Sequence, residues 1–100
     1  MSRHRAWCFT INNWTESDLF AVKYLFKSAL YAIVGEEVAP STGTRHLQGY
    51  VHLKNALSLK CMIKFLGRAH LIVANGSDEQ NKGYCSKGSN TYKVCEYYKR

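Results

Sequence analysis

Residues 45–53 constrain the fold more than any other stretch of this chain. Along Arg45-His46-Leu47-Gln48-Gly49-Tyr50-Val51-His52-Leu53, apolar and polar types alternate. Side chains of a β-strand leave on opposite faces with period two. Leu47, Val51 and Leu53 therefore share one face, while His46, Gln48, Tyr50 and His52 share the other. A strand patterned this way buries one face and keeps the other polar. That requirement selects a sheet with helices stacked against it.

The flanking segments supply the remaining elements. Residues 5–11, rich in aromatic and β-branched types, read as a strand ended by Asn12 and Asn13. Thr15 followed by Asp18 is a helix N-cap pattern, and Leu19, Val22, Phe26 and Ala29 recur at helical spacing, which predicts a helix over 16–28. Residues 31–38 read as a second strand, and Pro40, Ser41 and Gly43 make 39–44 a turn. Ser58 can cap a short helix carrying Leu59, Met62, Ile63 and Leu66, with Gly67 as its stop. Residues 70–74 predict another strand. Ser77 and Gln80 form a capping box for a helix over 78–87 closed by Gly88, and 91–96 predict a last strand. The order β-α-β-β-α-β-α-β predicts an α+β fold: a central antiparallel five-stranded sheet with helices packed mainly on one face and the other face left to solvent and ligand.

One hundred residues is the size of one domain, so 1–100 is expected to be a single unit. No apolar run approaches the roughly 20 residues that span a bilayer, and the start lacks the apolar core of a secretory signal; no membrane partner and an intracellular setting are expected. Cys8, Cys61, Cys85 and Cys95 lie far apart with no Cys-x-x-Cys pair, which argues against a zinc ribbon and predicts buried free thiols. Fourteen Lys and Arg against seven Asp and Glu leave a net charge of +7, the footprint of a polyanion binder, and nucleic acid is the commonest intracellular polyanion. Arg3, Arg5, Lys54, Lys60, Lys64 and Arg68 are available for phosphate contacts.

Three groups of residues can carry chemistry. His46 and Gln48 emerge on one side of their strand roughly 6–7 Å apart, two strand rises, close enough to reach one ion between them. A carboxylate from the preceding strand would complete a mixed nitrogen and oxygen shell suited to Mg²⁺ or Mn²⁺. Glu36 is in phase with Ala32, Val34 and Val38, the face assigned to the core, whereas Glu37 is in phase with Ile33 and Gly35. Parity favours Glu37. Gln80, Tyr84 and Lys87 form one stripe of the 78–87 helix. A tyrosine phenolate beside a cation is a nucleophile for phosphorus. The third group is Cys8-Phe9-Thr10-Ile11-Asn12-Asn13, whose amides can hold a DNA loop or phosphate. Tyr50 and His52 extend the polar face and offer rings for base stacking.

In order and spacing, Cys8-Phe9-Thr10-Ile11-Asn12-Asn13, His46-Leu47-Gln48-Gly49-Tyr50 and Tyr84-Cys85-Ser86-Lys87 resemble the three motifs of the HUH endonuclease domain of circovirus-like replication initiators. Similarity extends to 32–37 and 74–87, nearly the whole chain. The resemblance implies an RRM-like (ferredoxin-like) sheet. It implies Glu37, His46 and Gln48 as ligands of Mg²⁺ or Mn²⁺, Tyr84 as nucleophile and Lys87 as its catalytic neighbour. Phe9, Thr10, Asn12, Asn13, Tyr50 and Gln80 would contact DNA. The implied reaction is nicking and joining of single-stranded DNA at an origin stem-loop through a 5′-phosphotyrosine. It would start and end rolling-circle replication in the host nucleus, with a host polymerase extending the free 3′-OH.

Gln48 stands where many members of that family have a second histidine, which makes the set harder and more oxygen-rich. Gly83 to Gly88 has phosphate-loop spacing, but Ser89 and Asn90 follow where Lys and Ser or Thr are required, so no ATP site is expected. The family continues into a helicase, and the chain is therefore expected to be one domain of a longer protein that forms a homo-oligomer. A non-catalytic RNA-recognition module is the main rival, but its aromatic-glycine signature is absent.

Overall fold

The structure, a computed structural model, describes residues 2–39, 41–86 and 93–98, with the side chains of 84, 86 and 93–98 excepted. Its elements follow the predicted order: β1 (Arg3–Asn12), α1 (Glu16–Phe26), β2 (Ala29–Val38), β3 (Arg45–Ser58), α2 (Leu59–Phe65), β4 (His70–Val73), α3 (Asp78–Ser86) and β5 (Lys93–Tyr98). The sheet is antiparallel throughout and ordered β4-β1-β3-β2-β5, so the alternating strand β3 lies at its centre.

Local chemistry explains the element ends. The Thr15 hydroxyl accepts from the Asp18 amide at 3.4 Å and the Asp18 carboxylate accepts from the Thr15 amide at 2.9 Å, a closed capping box at the start of α1. Ser58 ends β3 and caps α2, its hydroxyl accepting from the Cys61 amide. That helix is capped at Leu66, whose backbone (φ -130°, ψ 66°) leaves the helical region one residue before the expected stop at Gly67. The Ser77 amide donates to the Gln80 side chain at 2.9 Å and the Gln80 amide to the Ser77 hydroxyl at 3.1 Å, the second predicted capping box. Gly88, the expected stop of α3, lies outside the described residues.

The core fills the face of β1, β2 and β3 under α1 and α2. Trp7, Phe9, Ile11, Ala32, Val34, Leu47, Val51 and Leu53 pack there against Val22, Leu25, Phe26 and Met62. The opposite face was expected to stay open, and here the structure corrects the reading. α3 lies across part of it, and Tyr31, Ile33 and Tyr50 pack with Cys85 as a second, smaller cluster. Two helices cover one face and the third covers the other. The physical reason lies in β2, where Tyr31 and Ile33 add apolar area to a face that β3 alone paints as polar.

Cysteine placement is mixed. Cys85 is buried, while Cys8 and Cys61 are only half-buried, against the expectation of uniformly buried thiols; all three are free. Burial, with Cys8 nearby, pushes the Cys85 thiol up to about 12. Among the described residues, no helix is long and apolar enough to cross a membrane.

Candidate active site

The turn between β2 and β3 sets the register that builds the site. Ala39 donates to the Thr44 carbonyl at 2.9 Å and Gly43 to the Ala39 carbonyl at 2.8 Å, with Gly43 at φ 73°, a left-handed conformation that glycine adopts without steric cost. Glu37 then falls directly opposite His46, and Gly35 opposite Gln48. Glu37 Oε1 and His46 Nε2 lie 2.8 Å apart. Gln48 follows two residues on, on the same face. The sheet thus brings Glu37, His46 and Gln48 together.

Glu36 goes the other way, as parity requires. Its carboxylate is buried on the core face and accepts from Arg45, with nitrogen–oxygen separations of 2.6 and 2.7 Å. The same guanidinium lies over the Trp14 ring, 4.7 Å from its centroid. Glu36 is a structural carboxylate, and Glu37 is the one on the site face.

Across β3 the site extends onto β1 and β4. Asn12 is opposite His46, Thr10 is opposite Gln48, and His70 is opposite Thr10. Thr10, Gln48, His70 and Asn81 help line a cleft of about 270 Å³ between the sheet and α3. Asn13 ends the row at φ 51°, a conformation asparagine tolerates, and its amide donates to the Arg45 carbonyl at 2.7 Å. Asn12 and Asn13 are exposed, and Arg68 braces both of their carbonyls while pairing with Asp18.

Two candidate DNA contacts, Phe9 and Tyr50, are buried. Phe9 is 1% exposed on the face under α1 and α2, where its ring packs beneath Gly49 and beside Phe26 and shapes the core. Tyr50 is 2% exposed beneath α3 and its hydroxyl donates to Asp78, so its ring is unavailable for stacking. Burial first, then the Asp78 hydrogen bond, raises the Tyr50 phenol above its ordinary value and keeps the proton on the donor. Gln80 is exposed, with its amide oxygen engaged in the α3 cap.

Asp78 is the residue sequence reasoning missed. It holds Tyr50, and its two oxygens lie 3.1 and 3.2 Å from His52 Nδ1. The available signal was the pairing of Tyr50 and His52 on one strand face, which calls for an acceptor. Asn81 is the second missed residue: its amide donates to the Asn75 and Ser77 carbonyls, and its oxygen accepts from the Cys8 thiol at 3.4 Å. Tyr84 lies on α3 between Asn81 and Cys85, which both anchor the helix to this face. The Tyr84 side chain and the whole of Lys87 lie outside the described residues.

The donor set suits a hard divalent ion. A carboxylate oxygen, an imidazole nitrogen and an amide oxygen share one face, and the first two already stand 2.8 Å apart. No three His, Cys, Asp or Glu side chains cluster among the described residues, and Gln48 offers an amide oxygen on the face shared by Glu37 and His46.

A central antiparallel sheet thus carries an acid, an imidazole and an amide on the face crossed by a tyrosine-bearing helix. The Viral_Rep family model, which describes viral replication proteins, matches residues 4–88, and the chain belongs to that family. It is 47% identical over 87 residues to the replication-associated protein of pigeon circovirus, covering 86% of this chain and 27% of that one. It is 49% identical over 84 residues to that of beak and feather disease virus, covering 83% and 29%. It is 45% identical over 96 residues to that of goose circovirus, covering 93% and 33%. The chain thus spans a third or less of the length of these curated relatives.

Proposed function

We propose that this chain is the DNA-nicking domain of a replication-associated protein that initiates rolling-circle replication. The observation that carries the reading is the convergence of Glu37 and His46, 2.8 Å apart, with Gln48 on the sheet face crossed by the helix that bears Tyr84. Glu37, His46 and Gln48 would hold Mg²⁺ or Mn²⁺, which when bound polarises the non-bridging oxygens of a phosphate. The substrate is single-stranded DNA at an origin stem-loop.

In the proposed reaction the Tyr84 phenol oxygen attacks phosphorus in line. Its proton is lost, a phosphorus–oxygen bond to tyrosine forms, and the bond to the 3′-oxygen breaks. The products are a 5′-phosphotyrosine and a 3′-oxygen that takes up a proton, ready for a host polymerase in the host nucleus. Attack by a 3′-OH on the phosphotyrosine reverses the step and rejoins the strand. No nucleotide hydrolysis is needed, because the bond energy is retained in the covalent link. Lys87 supplies positive charge for the phenolate or the phosphate. Thr10, Asn12 and Asn13 border the trio and contact the strand, and the net charge of +7 makes binding strongly salt-dependent.

The test is incubation with a fluorescent stem-loop oligonucleotide and Mn²⁺ or Mg²⁺. A slower-migrating covalent adduct should appear with the native protein and disappear in Tyr84→Phe. DNA binding without an adduct, or an adduct that survives Tyr84→Phe, overturns the reading.

A further inference from the structure

The polar face of β3 carries four residues in phase: His46, Gln48, Tyr50 and His52. The first two belong to the proposed ion site. The last two both meet Asp78, the first residue of α3. The Tyr50 hydroxyl donates to Oδ1. A carboxylate only accepts, so His52 meets it through a protonated Nδ1, 3.1 and 3.2 Å from the two oxygens. The strand that presents His46 and Gln48 is therefore tied, two and four residues further along, to the helix that carries Tyr84.

We infer that Asp78 is the positioning residue for Tyr84, locking the nucleophile's helix to the strand that holds the ion; this rests on the nicking reaction proposed above. The other anchors of α3 are weaker for this purpose. Cys85 contributes apolar contact, which resists separation but not sliding. The thiol of Cys8 is a poor donor to Asn81. A carboxylate shared by two donors on one strand fixes both the height and the rotation of the helix start. Tyr50 is buried, so its hydroxyl is turned from solvent onto the Asp78 carboxylate, which is itself 42% exposed. In-line attack tolerates little misplacement, and about 1 Å costs on the order of 10²-fold in rate.

The experiment compares adduct formation by the native protein, Asp78→Ala, Asp78→Asn, Tyr50→Phe and Asp78→Ala/Tyr50→Phe on one oligonucleotide with Mn²⁺. Asp78→Ala should slow the single-turnover rate on the order of 10–100-fold, while oligonucleotide affinity and the binding of Mn²⁺ stay within about 3-fold of native. Asp78→Asn keeps an acceptor for the Tyr50 hydroxyl and should recover most of the rate, which a merely structural acid would not require. Tyr50→Phe should lose rate as Asp78→Ala does, and the double variant should lose no more than the worse single one. If Asp78→Ala does not fold, Asp78→Asn and Tyr50→Phe still decide the matter. Native-like rates in Asp78→Ala, or in Tyr50→Phe, overturn the inference alone. A native protein that forms no adduct overturns the nicking reaction and this inference with it.

Discussion

Gly49 sits between two residues of the site face, yet its own missing side chain faces the core. A Cβ there would stand 2.1 Å from Cζ of Phe9 and 2.6 Å from each Cε. Carbon atoms rest at about 3.5–4.0 Å, so Gly49→Ala requires the ring to retreat by about 1.4 Å or the two strands to part. The ring is 1% exposed with its centroid 6.4 Å from that of Phe26, so its retreat disturbs the packing of the core. Overpacking a filled core costs about 1–3 kcal/mol, and strain shared with the central β1–β3 pairing puts this case near ~3 kcal/mol. For a domain of this size that is a fall in Tm of roughly 12–24 °C. Thermal melts followed by circular dichroism give the test, with Phe9→Leu as the second background. Leucine lacks the ring tip, so adding Gly49→Ala to Phe9→Leu should cost less than about 1 kcal/mol. A Gly49→Ala protein melting within about 2 °C of native, or an equal loss in both backgrounds, would refute the steric argument.

The two adjacent glutamates should behave oppositely. Glu37→Gln should weaken Mn²⁺ binding, measured by calorimetry, by at least about 10-fold with little change in Tm. Glu36→Gln removes the charge that Arg45 pairs with, and should lower stability by about 1–3 kcal/mol while leaving Mn²⁺ affinity near native. At the start of α1, burial draws the Asp18 carboxyl upward, but the Thr15 and Arg68 hydrogen bonds outweigh it and leave it below its usual value. A carboxyl depressed in the folded state stabilises above its unfolded pKa of about 3.9 and loses that contribution as pH falls through the lower folded value. Asp18→Ala should therefore cost about 1 kcal/mol in urea melts at pH 7. The gap to native should narrow as pH falls below that unfolded value; a gap unchanged in acid would show that Asp18 acts through packing.

How far the site was legible depended on the range of the interactions that build it. Parity along β2 separates Glu36 from Glu37, because alternation is a property of the strand itself. The capping boxes of Thr15–Asp18 and Ser77–Gln80 were readable because each is closed within four residues. The burial of Phe9 and Tyr50 was not legible, because both lie on strands whose aromatic residues look alike from either side. What separates a stacking platform from a core ring is which helix lies above it.

Taken alone, the chain's own order of residues determined the succession of elements, the two faces of β3, and which glutamate accompanies His46. Hydrogen bonding over a few residues and the period of a strand are written locally. Only the tertiary structure decided that α3 crosses the sheet on the site face, and that Tyr50 and His52 hold Asp78 rather than a base. It alone placed Phe9 beneath Gly49. Those outcomes depend on burying apolar area from β2 and β3 under a helix distant in sequence, a long-range match that no single segment encodes.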